Sequence, residues 1–143
     1  MAEQNYENHA KFVPMFHIGV LGIFVANIIW SGIRLFRGFN TEHVFGLLVA
    51  IALLVGILYA RIFALTVQDR VIRLEMRLRM ERVLPAELRG RIGEFSVGQL
   101  VALRFAGDAE LPELARKVLE GKIEDRKTIK QMVKDWQADW LRA

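Results

Sequence analysis

The sequence predicts an all-α protein: a two-span transmembrane helical hairpin whose second helix extends into the cytoplasm, followed by a small C-terminal bundle of three short helices. Three observations lead there. Phe12 to Ile33 is a run of 22 residues without Asp, Glu, Lys or Arg, and Val44 to Ala60 is a second run of 17. At ~1.5 Å per helical residue these reach about 33 Å and about 26 Å, enough for the hydrocarbon core once the flanking Arg61 snorkels. No helix breaker stands between Val44 and Leu84, so the second span continues as one helix until Pro85. Beyond it, capping residues, amphipathic stretches and glycines recur at the spacing of short helices.

The charge distribution orients this arrangement. The 143 residues carry a formal net charge of +4 and a mean hydropathy of +0.25, averages that conceal an apolar first half and a charged second half. Positive and negative residues balance in 1–60 and again in 92–143, so the excess lies between Arg61 and Arg91, where eight Arg face Asp69, Glu75, Glu81 and Glu87. Basic residues concentrated where the chain leaves the bilayer mark the cytoplasmic side, which puts both termini in the cytoplasm; Arg34 and Arg37 in the turn oppose this weakly. With no cysteine, disulfides, Cys-ligated zinc, iron–sulfur clusters and a Cys nucleophile are excluded. The first run is expected to be retained rather than cleaved. A secretory leader has an apolar region of ~7–15 residues after a basic start, whereas this run is longer, follows acidic residues and lacks a clear small-x-small site.

Element by element, residues 1–11 read as a polar N-terminal arm, and Pro14 stands where a first helical turn tolerates a missing N–H. The hairpin covers 12–68, with spans at about 12–33 and 44–68. The turn from Arg34 to His43 contains Gly38 and Asn40, and Thr41 is the expected N-cap of the second span. Ala52, Gly56, Ala60 and Ala64 recur every four residues, with Gly22 and Ala26 offering a similar smooth patch on the first span. Such stripes let helices approach closely; packing within the hairpin is the expected use, and packing against another subunit the alternative. Residues 69–91 form an Arg-rich juxtamembrane helix and linker. At ~100° per residue, Val67, Val71, Leu74 and Leu78 share one face of that helix and Ile72, Met76 and Met80 the far one. Two apolar faces need two coverings, one of them the chain's own tail and the other a second copy, a partner, or lipid at the surface. Asp69 with Arg73 and Glu75 with Arg79 stand at i,i+4, worth a few tenths of a kcal/mol each.

The helical tail, 92–143, is punctuated in three places. Ser96 and Gln99 spell a capping box for a helix burying Val97, Leu100, Val101 and Phe105, ended by Gly107. Asp108 is the expected cap of the next, with Leu111, Leu114, Ala115, Val118 and Leu119 on one face and Gly121 as its stop. Asp125 is expected to cap the last, which would carry Ile129, Met132, Val133, Trp136 and Trp140. A segment this short buries too little surface to be stable alone, so it should dock on the long helix or on a partner.

Four blocks in this order, NYENHAKFVPMFH from Asn5, ARIFALTVQDRVIRLEMRLR from Ala60, LVALRFAGDAELPELARKVLEGK from Leu100 and WQADWLR from Trp136, resemble an uncharacterised family of small bacterial two-helix integral membrane proteins. The resemblance implies a helical hairpin with a cytoplasmic helical tail in the bacterial inner membrane, without an established activity, substrate or cofactor. Members are sometimes labelled transporter permeases, a label that two spans with no internal repeat do not support physically.

Few residues are candidates for chemistry. His17 lies within the first span, where an imidazole could ligate the metal of a haem or chlorophyll; the competing reading is a histidine hydrogen-bonded near the headgroups. His9 and His43 lie near the two interfaces. Asn27, deeper in the same span, suits an interhelical hydrogen bond better than a substrate contact. Arg61, Arg70, Arg73, Arg77, Arg79 and Arg82 form the basic stretch. Anionic headgroups are its expected contact, at ~1 kcal/mol per charge close to the surface. Nucleic acid is not expected, because no aromatics interleave with these arginines and the membrane already supplies phosphate. Trp136 and Trp140 read as core anchors, and Glu110 with Glu113 as helix-start charges rather than a catalytic pair. No catalytic residue, metal site or cofactor is therefore expected. The reading that follows is a non-enzymatic membrane scaffold or accessory subunit binding lipid and other membrane subunits or itself. The alternatives are a pigment- or haem-associated small subunit of a photosynthetic or respiratory complex, and a small homo-oligomeric channel or transporter using Asn27.

Overall fold

The computed structural model describes residues 4–8 and 12–140, and among them the chain is helical with no strand. Its six α-helices are α1 (Leu21–Arg37), α2 (Thr41–Val83), α3 (Ala86–Arg89), α4 (Val97–Leu103), α5 (Leu111–Glu120) and α6 (Arg126–Met132); a π-helical turn, Met15–Val20, leads into α1, and a 3₁₀ turn, Ile92–Glu94, follows α3. The chain divides into two compact units, Lys11–Ala64 and Met1–Ala10 with Leu65–Ala143. Two helices, Met15–Arg37 and Thr41–Val83, are long and apolar enough to cross a membrane.

In the unit Lys11–Ala64, the first helix starts beside Pro14 as expected, but its opening turn is wound as π-helix. The N–H groups of Phe16 and His17 both donate to Val13 O, at 3.0 and 2.9 Å. α1 ends at Gly38, whose N–H still reaches Arg34 O at 3.1 Å. Asn40, not Thr41, supplies the cap of α2: its Oδ1 accepts from the His43 N–H at 2.8 Å, and its carbonyl accepts from Val44. The His43 ring then secures the turn. Nδ1–H donates to Gly38 O at 2.6 Å, which leaves Nε2 to accept from Arg34 Nη2 at 3.0 Å. Away from this turn the Arg61 guanidinium, midway along α2, lies 5.4 Å above the Phe16 ring. Leu47, Ala50, Leu54, Ile57 and Arg61 are the less exposed positions of this part of α2, Ala50 being fully covered. Ala52, Gly56, Ala60, Ala64, Gly22 and Ala26 are all exposed.

In the other unit, Ile72, Met76 and Met80 of α2 enter the core, and the helix stops where Pro85 forbids another turn. Arg89 Nε donates to Leu84 O at 2.7 Å, satisfying one carbonyl of the helix end. α3 and the 3₁₀ turn have no counterpart in the sequence-based expectation. They carry Leu88, Ile92 and Phe95 into the core and so extend the buried row of α2. The capping box at α4 forms as spelled: Ser96 Oγ accepts from the Gln99 N–H and the Gln99 side chain accepts from the Ser96 N–H. α4 is central, with Gln99 to Leu103 all buried, and it packs against α5 and α6. The buried Gln99 amide is satisfied by Ile123 O at 3.0 Å.

α5 ends in a Schellman arrangement: the Ile123 N–H reaches Val118 O at 3.0 Å and the Lys122 N–H reaches Leu119 O at 3.2 Å. The left-handed residue is Lys122, at φ 47°, one position past the expected stop at Gly121. A side chain in that conformation is strained, so Lys122→Gly is expected to stabilise this unit by about 0.5–1 kcal/mol in urea unfolding followed by circular dichroism. An unchanged or lowered midpoint would show that the Lys122 side chain offsets the strain.

The last helix departs from expectation. Asp125 caps it, accepting from the Thr128 N–H at 2.8 Å, but α6 stops at Met132, and the chain continues extended. Gly107 N–H donates to Asp135 O at 2.8 Å and Gln137 N–H to Phe105 O at 2.6 Å, an isolated antiparallel bridge between Ala106 and Trp136. The Glu110 carboxylate accepts from the Lys134 and Asp135 N–H groups at 2.9 and 2.6 Å, holding donors that an α-helix would have bonded internally. The buried Gln4 pairs with the same segment: its Oε1 accepts from the Asp139 N–H at 2.8 Å and its amide donates to Asp139 O at 3.2 Å.

Candidate functional site

The arginines read from the sequence as one basic cluster serve different ends. Arg79 is turned into the tail: Nε pairs with Asp108 at 2.7 Å, Nη1 donates to Arg104 O at 3.1 Å and Nη2 to Ala106 O at 2.6 Å. Its side chain is 13% exposed, so it is a structural clamp rather than a headgroup contact. Asp108 is thereby engaged by α2 and does not cap α5, whose N-cap position is taken by Glu110 without a side-chain cap bond. Asp69 likewise pairs across the fold with Arg126, at 3.7 Å. Arg77 is half-buried, with its Nε out of solvent and no hydrogen-bond partner. Arg70, Arg73 and Arg82 are exposed. Arg61 belongs to the other unit, over Phe16.

The two apolar faces of α2 have opposite fates. Ile72, Met76 and Met80 are 0–5% exposed under the tail, while Val67, Val71, Leu74 and Leu78 are 49–61% exposed. These four form one uncovered stripe, bordered by Arg70 and Arg77 on one side and by Glu75 and Arg82 on the other. A cleft of about 380 Å³ opens elsewhere on the unit, lined by Ile72, Glu75, Met76, Arg79, Arg104, Asp139 and Trp140 among others. Its arginines are committed to protein partners. Arg104 pairs with Asp139 at 2.8 Å, donates to Val101 O at 2.6 Å and lies 4.2 Å over the Phe105 ring.

His17 sits in the π-helical turn, half-buried, with Phe12 stacked at 4.8 Å and Phe16 edge-on at 5.2 Å. Its Nδ1 lies 2.9 Å from Val13 O and 3.2 Å from Val13 N. The shorter contact is a hydrogen bond when Nδ1 carries the proton, and that tautomer leaves the lone pair on Nε2. His43 serves the turn. His9 lies outside the described residues. Asn27 is exposed on α1. Among the described residues no group of three or more His, Asp or Glu side chains is placed to hold a metal.

The shifted acids stand on the surface of the tail. Hydrogen bonding from Arg91 holds the Glu94 carboxyl below its usual range and raises Arg91 in return, at 2.8 and 3.0 Å. Lys117 does the same to Glu113 at 2.6 Å, and the Thr128 hydroxyl and N–H lower Asp125. Each is a local ion pair or cap rather than a group poised for proton transfer.

These features define an all-helical chain with two candidate membrane spans, one of them continuing into a packed helical unit with an uncovered apolar stripe. The chain belongs to a family of unknown function (DUF6526), whose model matches residues 1–143. No curated protein and no solved structure matches it.

Proposed function

We propose that the protein is a non-enzymatic integral membrane scaffold or accessory subunit. In this reading α1 and the first part of α2 form a transmembrane hairpin of the bacterial inner membrane, both termini are cytoplasmic, and the C-terminal unit presents a docking face to a membrane complex. The membrane part is supported by the lack of cover over the apolar spans: in the most apolar 18-residue window of each, 0% and 6% of residues are buried by the chain itself. So much exposed apolar surface is unfavourable in water and ordinary in lipid. Exposed Arg70 and Arg73, next to the end of the span, suit anionic headgroups.

The single observation that carries the scaffold part is the stripe Val67, Val71, Leu74 and Leu78, left open on a helix whose far side is sealed by its own tail. Asn27 adds to it, because an uncovered amide within a span seeks a hydrogen-bond partner on another helix. Carbonate extraction of native membranes followed by purification in mild detergent tests the proposal. The expected result is a protein that resists extraction and migrates as an assembly larger than one 16.4 kDa chain in its micelle. A lone detergent-solubilised monomer, with no neighbour crosslinked in native membranes, would sink it.

A pigment- or haem-associated subunit is the second reading, favoured by one detail. A ligating imidazole keeps one N–H on a carbonyl and offers the other nitrogen, the state that the Val13 contact supports for His17. An absorption spectrum of the same preparation decides: a visible band abolished in His17→Ala is expected, and the absence of any band removes ligation.

A further inference from the structure

We infer that the uncovered stripe of α2 is the seam of a parallel two-stranded coiled coil with a second copy of this chain. The inference rests on the proposed membrane reading for its orientation. The stripe residues Val67, Val71, Leu74 and Leu78 are spaced by four, three and four, the repeat that keeps a seam facing a neighbouring helix. With Val71 at heptad position a, Leu78 is the next a, and Val67 and Leu74 occupy d. Val71 at a followed by Leu74 at d is the arrangement that favours two strands in parallel register, whereas Val67 and Leu78 reverse it at the two ends of the stripe.

The charges that flank Val71 and Leu74 favour a second copy. In this register Arg70 and Arg77 fall at g, and Gln68, Glu75 and Arg82 at e. Across a parallel dimer each g residue faces the e residue five positions further on in the other strand. Arg70 therefore meets Glu75 of the second copy, and two-fold symmetry supplies the pair twice. Arg77 meets Arg82 in the same way, and Glu81 takes the next d position. The seam thus closes from Val67 to Leu74 and opens beyond Leu78, a length set by the sequence. An antiparallel pair would bring g to g and set Arg70 and Arg77 against arginines, and two copies inserted with the same topology cannot form it.

Lipid is the competing occupant, and distance disfavours it. α2 is helical from 68 to 78, so with the span ending near 68, Leu74 and Leu78 lie about 9 and 15 Å beyond its end at ~1.5 Å per residue. The headgroup layer on one side is about 5–7 Å thick. The long side chains of Arg70 and Arg73 are within its reach, and Leu74 and Leu78 are past it.

The chain has no cysteine, so single substitutions report proximity without background. Val67→Cys, Leu74→Cys and Arg73→Cys, each in the full-length protein, are oxidised in native membranes, and the same membranes are extracted with carbonate. A disulfide-linked dimer is expected with Val67→Cys and Leu74→Cys and not with Arg73→Cys, which lies off the seam. In the Leu74→Cys background, Glu75→Arg should weaken crosslinking about fivefold, and adding Arg70→Glu should restore it, because the swap rebuilds the inter-strand pairs. Protein that stays in the carbonate pellet but gives no dimer, or that crosslinks equally through position 73, overturns the second copy while leaving the membrane reading intact. An adduct at position 74 with a different protein alone does the same. Protein released by carbonate overturns the membrane reading, and the parallel register with it.

Discussion

Arg79→Met is expected to destabilise the C-terminal unit by about 3 kcal/mol, whereas Arg70→Ala, Arg73→Ala and Arg82→Ala should each leave it within about 0.5 kcal/mol. All four look alike in the sequence, on one helix within thirteen positions. The difference is burial and commitment. Arg79 donates to Arg104 O and Ala106 O from a side chain only 13% exposed, and a methionine of similar length would leave both carbonyls without that donor. Leaving a buried acceptor unsatisfied costs about 1–3 kcal/mol, while losing an exposed guanidinium costs a screened interaction with water nearby. Urea unfolding of the detergent-solubilised protein reads the four variants on one scale. Equal midpoints for Arg79→Met and Arg73→Ala would mean that the clamp contributes nothing.

Phe105→Ala should cost more, about 3–5 kcal/mol, and should release the extended segment that follows α6. Phe105 is fully buried and stacked on Trp136 with ring centroids 4.5 Å apart and planes at 19°. Arg104 covers it at 4.2 Å, and its backbone carbonyl takes the Gln137 N–H. Removing the ring takes away core volume and the partner that holds Trp136, so the bridge between Ala106 and Trp136 loses its anchor. In a background where Trp30 and Trp140 are Phe, Trp136 emission should shift to the red and proteolysis should reach residues 133–140 before the rest of the tail. A variant that keeps native emission would assign the anchoring to Glu110 and the backbone bridge instead.

These two sites mark where the sequence was legible. The capping box at Ser96 and Gln99, the cap at Asp125 and the stop at Pro85 each rest on neighbours in the chain, and each forms. Asp108 had the same local credentials as Asp125. It was drawn instead to Arg79, 29 positions away, because a carboxylate beside a partly desolvated guanidinium gains more than one on a helix N-terminus. Asn40 displaced Thr41 as a cap by a single residue, within the usual uncertainty of helix ends. The early stop of α6 carries no Gly or Pro to announce it. It follows from Trp136 stacking on Phe105 and from Glu110 collecting two backbone donors, contacts made across 24 to 31 positions. The role of Gln4 was equally hidden, since its partner Asp139 is 135 residues away.

The periodic features of the chain were therefore present in the sequence: two apolar runs, an uninterrupted second helix and two apolar faces on its exposed part. Periodicity fixes which residues share a face, because 3.6 residues per turn is a property of the backbone. It carries no information on which face is covered, since Ile72, Met76 and Met80 are as apolar as Val71, Leu74 and Leu78. That choice, along with the separation of Arg79 from its exposed neighbours, was made by long-range packing. Those contact energies depend on where distant segments meet in space.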